Sequence, residues 1–273
     1  ASGGTVDLLI MGAGPAGMAA AAEARSRMMS VLLLDENASP GGQVHRASEG
    51  RAAKDEQDAD GKKLAAALRA SGADCRFGAT LWAIEPGGKV FWSEGGAARS
   101  VTAARILLCA GATERPLPIP GWTLPGVMSV GAAQIALKGP LLWLYAYQAV
   151  QAGGSFAGII DLSHGVPPAA LRHLRRALLA PGYLLQGLAW QRAVKRAGVK
   201  VLHAEAVRAE GEGKLERILI DGVAQEAELL LLHDGVVPNT QVTRAIPGCT
   251  HVWDAVQACW KPRLDEWGNT TVE

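Results

Sequence analysis

The sequence predicts an α/β fold, and three observations carry that prediction. A short apolar run, Val6 to Met11, leads straight into the glycine-rich turn Gly12-Ala13-Gly14-Pro15-Ala16-Gly17. An alanine-rich helix, Ala16 to Arg27, follows and delivers the chain to a second apolar run, Val31 to Leu34, ending in Asp35-Glu36. Short apolar runs then keep alternating with helical segments, the pattern of parallel strands joined by crossover helices.

Each element of the opening unit has a physical reason. Val6 to Met11 is apolar on both faces, as a parallel strand buried on both sides needs to be. A GxGxxG pattern alone is a weak signal. Here it sits between a strand and a helix, and Asp35 falls 21 positions beyond Gly14, as a dinucleotide fingerprint requires. Gly12 permits the tight turn, Gly14 lets backbone approach a pyrophosphate, and Gly17 lets the helix pack closely on the sheet. Pro15 and Ala16 complete the loop, and the helix start offers free N–H groups and a positive dipole end to phosphate. Asp35, with Glu36 beside it, would accept hydrogen bonds from an adenosine ribose, which argues against a 2′-phosphorylated nucleotide. The alternative is a structural glycine turn with a solvated Asp35. Spacing does not separate FAD from NAD at such a loop.

Composition excludes several other classes. The 273 residues are 49% hydrophobic and 19% charged, too apolar for a disordered chain. A net charge of +1 makes no electrostatic case for nucleic acid or a membrane surface. The apolar stretch Leu141 to Val150 has about half the roughly 20 residues of a spanning helix. The apolar N-terminal run follows Asp7 rather than a basic region, so no signal peptide is expected. Cys75, Cys109, Cys249 and Cys259 form no CxxC, which argues against a disulfide framework, a zinc site and dithiol redox chemistry, and makes a reducing cytoplasm the expected location. The six histidines show no metal-ligand spacing, and no metal site is expected.

Further along, Asp55 to Ser71 is a charged helix candidate with Leu64 and Leu68 on one face, closed by Gly72. Strand-like pieces follow at Cys75 to Ile84 and Lys89 to Trp92, split by Pro86-Gly87-Gly88. Arg105 to Cys109 is a strand-like run leading into Ala110-Gly111-Ala112-Thr113-Glu114-Arg115. Leu141 to Gln151 reads as a helix and Phe156 to Ile160 as a strand ending at Asp161. Pro167 to Ala180 and Tyr183 to Ala197 read as helices broken by Pro181-Gly182, with Val199 to His203 returning as a strand. Arg172, His173, Arg175 and Arg176 fit a solvated helix face better than a phosphate grip. Trp253, Trp260 and Trp267 recur every seven residues, which reads as core or subunit contact. No general base stands out, so the catalytic residues are unassigned.

The stretches GAGPAG, LLLDE and GGQ, followed by ILLCAGATERPLPIPGWTLPGV, resemble the flavoproteins with two dinucleotide-binding domains, the pyridine-nucleotide-disulfide-oxidoreductase type. More narrowly, the chain is similar to the alpha (A) subunits of bacterial opine oxidases and of hydroxyproline or proline dehydrogenases. GPLLWLYAY, APGYLLQGL, LLHDGVVPNT and VWDAVQACWKPRLDEWG carry the likeness along nearly the whole chain.

The resemblance implies two Rossmann-like dinucleotide-binding domains of the three-layer ββα type, the second inserted in the first. Residues 6–126 and 236–273 would form the FAD-binding domain, and residues 127–235 a second, NAD(P)-type domain. It implies FAD at the first fingerprint, with Gly42 and Gln43 along the pyrophosphate and flavin side and Arg46 as a phosphate contact. Ala110-Gly111 would bring backbone against the cofactor. Arg115 is either a cofactor contact or an ion-pair partner of Glu114 or a neighbour.

The chain departs from the family pattern in two places. Lys138 runs straight into Gly139-Pro140-Leu141, so the strand and first two glycine positions of the second fingerprint are missing, although Asp161 still lies 22 positions past Gly139. Either the second nucleotide site is deleted or a segment is absent there; NAD(P), ADP or ATP stays open for that domain. The Gly-Asp-Gly-type turn of the family does not follow Trp267 within the sequence. By resemblance the chain would be one FAD-binding component of a hetero-oligomeric oxidoreductase that attacks CH–NH bonds, with a small amine or imino-acid substrate oxidised on a catalytic partner subunit. The competing classes are a non-catalytic nucleotide-binding scaffold and an NAD(P)H-dependent flavin reductase.

Overall fold

A computed structural model describes residues 4–43, 45, 56–130, 142–151, 153–154, 156–162, 181–255 and 257–272. The expectations for Arg46, for the junction at Lys138-Gly139 and for a helix over Pro167 to Ala180 lie outside the described residues. The chain divides into two units, residues 1–113 with 236–273 and residues 114–235. The first crossing falls between Thr113 and Glu114, ahead of the expected limit at residue 126. Residues 119–126 go with the second unit because their backbone bonds reach into it: Ala209 N–H donates to Pro120 O (2.9 Å) and Leu215 N–H to Pro125 O (2.7 Å).

The first unit opens with β1 (Thr5–Met11), α1 (Pro15–Ser26), β2 (Val31–Asp35), α2 (Glu56–Ala70), β3 (Asp74–Phe77), β4 (Ala79–Glu85), β5 (Lys89–Glu94) and β6 (Ala97–Leu108). They build one six-stranded sheet in the order β3-β2-β1-β6-β5-β4. β1 runs parallel to both β2 and β6, and β2 parallel to β3, while β4, β5 and β6 form an antiparallel meander.

Strand periodicity sorts the apolar residues to two faces. Ile10, Val31 and Leu33 pack with Met18 and Ala21 of α1 and Ala65 and Leu68 of α2. Leu9, Leu32 and Leu34 face the other way, against Val90, Trp92 and Val101 of the meander. The run Arg105 to Cys109 proves to be the far half of a longer strand. β6 pairs with β5 up to Thr102 and with β1 from Thr102 onward, and its polar first half concealed it in the sequence.

The chain passes through β7 (Ala112–Glu114) into the second unit, with β8 (Val127–Ser129), α3 (Leu142–Gln151), β9 (Gly158–Asp161), α4 (Pro181–Arg196), β10 (Lys200–His203), β11 (Val207–Glu210), β12 (Arg217–Ile220), β13 (Val223–Glu226) and β14 (Leu230–Leu232). β9 and β10 are parallel, β14 is parallel to β8, and β11 to β13 form an antiparallel meander. Pro181 and Gly182, expected between two helices, are themselves helical and belong to the described span of α4. The chain returns through β15 (Val236–Pro238), which pairs with β7, to α5 (Gln241–Ala245) and the hairpin of β16 (His251–Asp254) and β17 (Cys259–Pro262). Among the described residues no helix is long and apolar enough to cross a membrane.

Candidate functional site

In the sheet order, successive strands run outward from β1 through β2 to β3, and then β6 returns on the other side of β1. The order in which strands are added therefore reverses between the parallel β1 and β6, and the crevice outside their carboxyl ends is where open α/β sheets bind ligands. The glycine loop leaves β1 at that point, and Ala110-Gly111 leaves β6.

Backbone contacts fix the loop. Gly12 adopts φ +101°, a left-handed conformation in which a side chain is strained, and a Cβ there would collide with the Cys109 carbonyl. Gly12 N–H donates to Leu34 O (2.8 Å), and Cys109 N–H to Met11 O (2.8 Å). A Cβ on Gly17 would run into the Gly12 carbonyl oxygen, so α1 approaches the loop more closely than any other residue allows. Gly14 behaves differently: a Cβ there would meet nothing within 4 Å. Gly14 is the N-cap of α1, no side chain caps the helix, Pro15 occupies the first turn, and no acidic residue lies there. The N–H groups of that turn, from Ala16 and Gly17, have no helical partners and suit an anion.

Asp35 is 7% exposed and turned inward. Its Oδ2 accepts the Ala13 N–H at 2.5 Å, and its Oδ1 accepts the Asn37 N–H (2.7 Å) and Nδ2–H (2.8 Å). The solvated Asp35 of the structural-turn alternative is thus not what is found. Asp35 clasps the glycine loop, and Glu36 beside it is exposed. Asn37 escaped the sequence reading, although an Asp followed two residues later by a polar residue is the pattern of a local carboxylate turn.

Gly41 and Gly42 form a turn laid against the loop. Gly41 N–H donates to Ala13 O (2.8 Å), and a Cβ on Gly42 would lie 2.9 Å from the Gly14 Cα. Gln43 is exposed. His45, also missed from the sequence, is buried and ties back through its N–H to Gly41 O (3.0 Å). Its ring occupies space left by the absent side chain of Gly61 on α2.

Gly111 has φ +69°, and its carbonyl accepts the Asn239 N–H (3.0 Å). Ala110 and Gly111 line a groove of about 1130 Å³ between β6 and the segment after β15. Burial raises the Cys109 thiol above its ordinary pKa, so this thiol stays protonated at neutral pH. Arg115 lies in the second unit, where its guanidinium meets Asp234 at 3.5 Å and its N–H donates to Gly235 O (3.0 Å). The neighbouring Glu114 accepts His233 Nδ1 at 2.8 Å. The structure thus brings together Gly12, Gly14, Pro15, Ala16, Gly17, Asp35 and Gly42 around one loop and engages Arg115 in an ion pair. Among the described residues no cluster of three or more His, Cys, Asp or Glu is placed to hold a metal.

The chain is 39% identical to the A subunit of opine oxidase from Agrobacterium tumefaciens (strain Ach5), a match covering 97% of this chain and 59% of that protein. The aligned length of 306 positions exceeds the 273 residues here, so that relative carries positions this chain lacks. The chain spans little more than half the length of such curated relatives. In fold it is similar to thioredoxin reductase of T. acidophilum, with a TM-score of 0.67 and 16% identity over 98% of this chain and 87% of that one. It is likewise similar to L-proline dehydrogenase from P. horikoshii, with a TM-score of 0.63 and 19% identity over 97% of this chain and 49% of that one. The family profile described as pyridine nucleotide-disulphide oxidoreductase matches residues 6–158, more than half of the sequence. With its strand, glycine loop, helix and clasping carboxylate in register, the chain belongs to the pyridine nucleotide-disulphide oxidoreductase family.

Proposed function

We propose that this chain is an FAD-binding subunit of a hetero-oligomeric amine or imino-acid dehydrogenase or oxidase. The observation that carries the proposal is the open space over Gly14 beside the uncapped start of α1, at the point where the strand order reverses. A diphosphate fits there against the Ala16 and Gly17 N–H groups. Asp35 holds the loop in shape and Glu36 stands free for a ribose hydroxyl. By this reading Gly42 and Gln43 lie along the pyrophosphate and flavin side, Ala110-Gly111 brings backbone against the cofactor, and Arg46 contacts a phosphate. FAD bound at such a site supplies two-electron redox chemistry, and the protein contributes binding, orientation and exclusion of water. The opine oxidase relative is by name one subunit among others, which supports a companion chain carrying substrate oxidation.

By the same proposal the first unit, residues 1–113 with 236–273, is the FAD-binding part and the second, residues 114–235, the NAD(P)-type part. A nucleotide in the latter, whether NAD(P), ADP or ATP, is subordinate and rests on Asp161 at the end of β9. Purified protein tests the proposal. A yellow chain that releases FAD on heating, in equimolar amount, is expected. A colourless chain holding an adenine nucleotide would instead support a scaffold, and bleaching by NADH would support a flavin reductase.

A further inference from the structure

A glycine buried inside a helix calls for a reason, since it loses more backbone freedom on folding than any other residue and leaves room beside the helix axis. Gly61 is such a residue, within α2 and buried. The room beside it is taken by His45. A Cβ on Gly61 would lie 2.6 Å from the His45 Cγ, 2.6 Å from its Nδ1 and 2.9 Å from its Cβ. Those atoms include the near end of the side chain, so turning the ring does not clear them, and the backbone carrying His45 would have to move.

His45 is 7% exposed, and among the described residues its Nδ1 has no hydrogen-bond partner. The ring is therefore seated beside Gly61 by shape and not by a polar contact at that atom. The backbone of the same residue reaches the glycine loop. His45 N–H donates to Gly41 O (3.0 Å), Gly41 N–H donates to Ala13 O (2.8 Å), and Asp35 accepts the Ala13 N–H from the other side. Gly41 and Gly42 take φ +128° and +58°, a path that strains any side chain, and a Cβ on Gly41 would collide with the His45 carbonyl. The turn is thus clamped at both ends, by the glycine loop at one and by α2 at the other, and all of these residues lie in the first unit.

We propose that His45, seated in the notch that Gly61 leaves in α2, is a positioning residue that holds the Gly41-Gly42 turn against the glycine loop and thereby sets the affinity for the flavin half of the cofactor. This rests on the FAD reading given above, in which Gly42 and Gln43 lie along the pyrophosphate and flavin side. A turn fixed before binding spares the ligand the cost of ordering it. The phosphate donors, the Ala16 and Gly17 N–H groups, and the ribose acceptor Glu36 lie outside the turn. ADP alone should therefore be held nearly as well when the turn moves.

The test is a double-mutant cycle on the full chain, stripped of flavin and titrated separately with FAD and with ADP. Gly61→Ala is expected to weaken FAD binding about 10-fold or more and ADP binding by no more than about 3-fold. His45→Ala should show the same split. The double variant should bind FAD no more weakly than the worse single one, because the new methyl then enters space the ring has left. Should Gly61→Ala not fold, His45→Ala, which adds no atom, and the double variant carry the test through the same split. FAD and ADP affinities falling together in His45→Ala would make the ring a support of the whole loop and overturn the proposal. Losses that add in the double variant, or FAD binding unchanged by either single substitution, would overturn it as well. A wild-type chain that binds ADP and no FAD would instead refute the FAD reading itself, and the proposal with it.

Discussion

Two carboxylates end comparable strands and differ in exposure. Asp35 lies 21 positions past Gly14, and Asp161 lies 22 past Gly139. Asp35 is 7% exposed and receives three N–H donors, one of them from the glycine loop itself. The Asp161 side chain is 38% exposed and faces His203 Nδ1 at 3.6 Å across the β9–β10 pair. β2 lies between β1 and β3, whereas among the described residues β9 pairs with β10 alone.

The comparison breaks or sharpens under substitution, beginning with glycine. Gly17→Ala should destabilise the protein by about 3 kcal/mol, because its Cβ meets a backbone carbonyl that cannot move aside. Gly187→Ala, inside α4 with nothing near a new Cβ, should instead stabilise by about 0.5–1 kcal/mol. Urea denaturation reads both. Equal costs at the two positions would mean that the loop of the first unit is not packed as described.

Next come the acids. Asp35→Ala should cost about 1–3 kcal/mol, since the Ala13 N–H is left buried without an acceptor, and dinucleotide affinity should fall with it. Glu36→Gln should leave folding untouched and weaken only binding, which equilibrium titration with ADP would register. A stability loss there would show that Glu36 shares the clasp.

The smallest effect is in acid. Hydrogen bonds from the Asn269 side chain and then its backbone N–H hold the Asp265 carboxyl below its ordinary pKa. What this adds to the Trp267 turn is fully present above the unfolded carboxyl's pKa and disappears as pH falls through the lowered folded value. Carboxyl carbon shifts in an NMR titration should therefore place Asp265 below an ordinary aspartate. An unshifted value would mean that the turn is open in solution.

Much of the first unit was legible because its pattern is local. Val6 to Met11, the glycine loop, α1 and Val31 to Leu34 lie within 30 consecutive residues, and each is specified by its own periodicity or punctuation. β6 was only half legible, since its first half is mostly exposed, held by pairing with β5, and puts Val101 alone into the core. Asn37 and His45 were missed because their roles depend on neighbours that spacing does not reveal, the Asp35 carboxylate in one case and the vacant side of Gly61 in the other.

By itself the sequence determined the α/β class, the strand–loop–helix order of the opening unit and the glycines that such a turn demands, because steric limits on backbone and the period of apolar residues act over a few positions. Only the tertiary structure decided that Asp35 turns inward while Asp161 stays half in water, that Arg115 pairs with Asp234, and that three regularly spaced tryptophans face solvent. Those outcomes depend on which groups distant in the chain come to lie within hydrogen-bonding or packing distance, and that is fixed by how the strands pair.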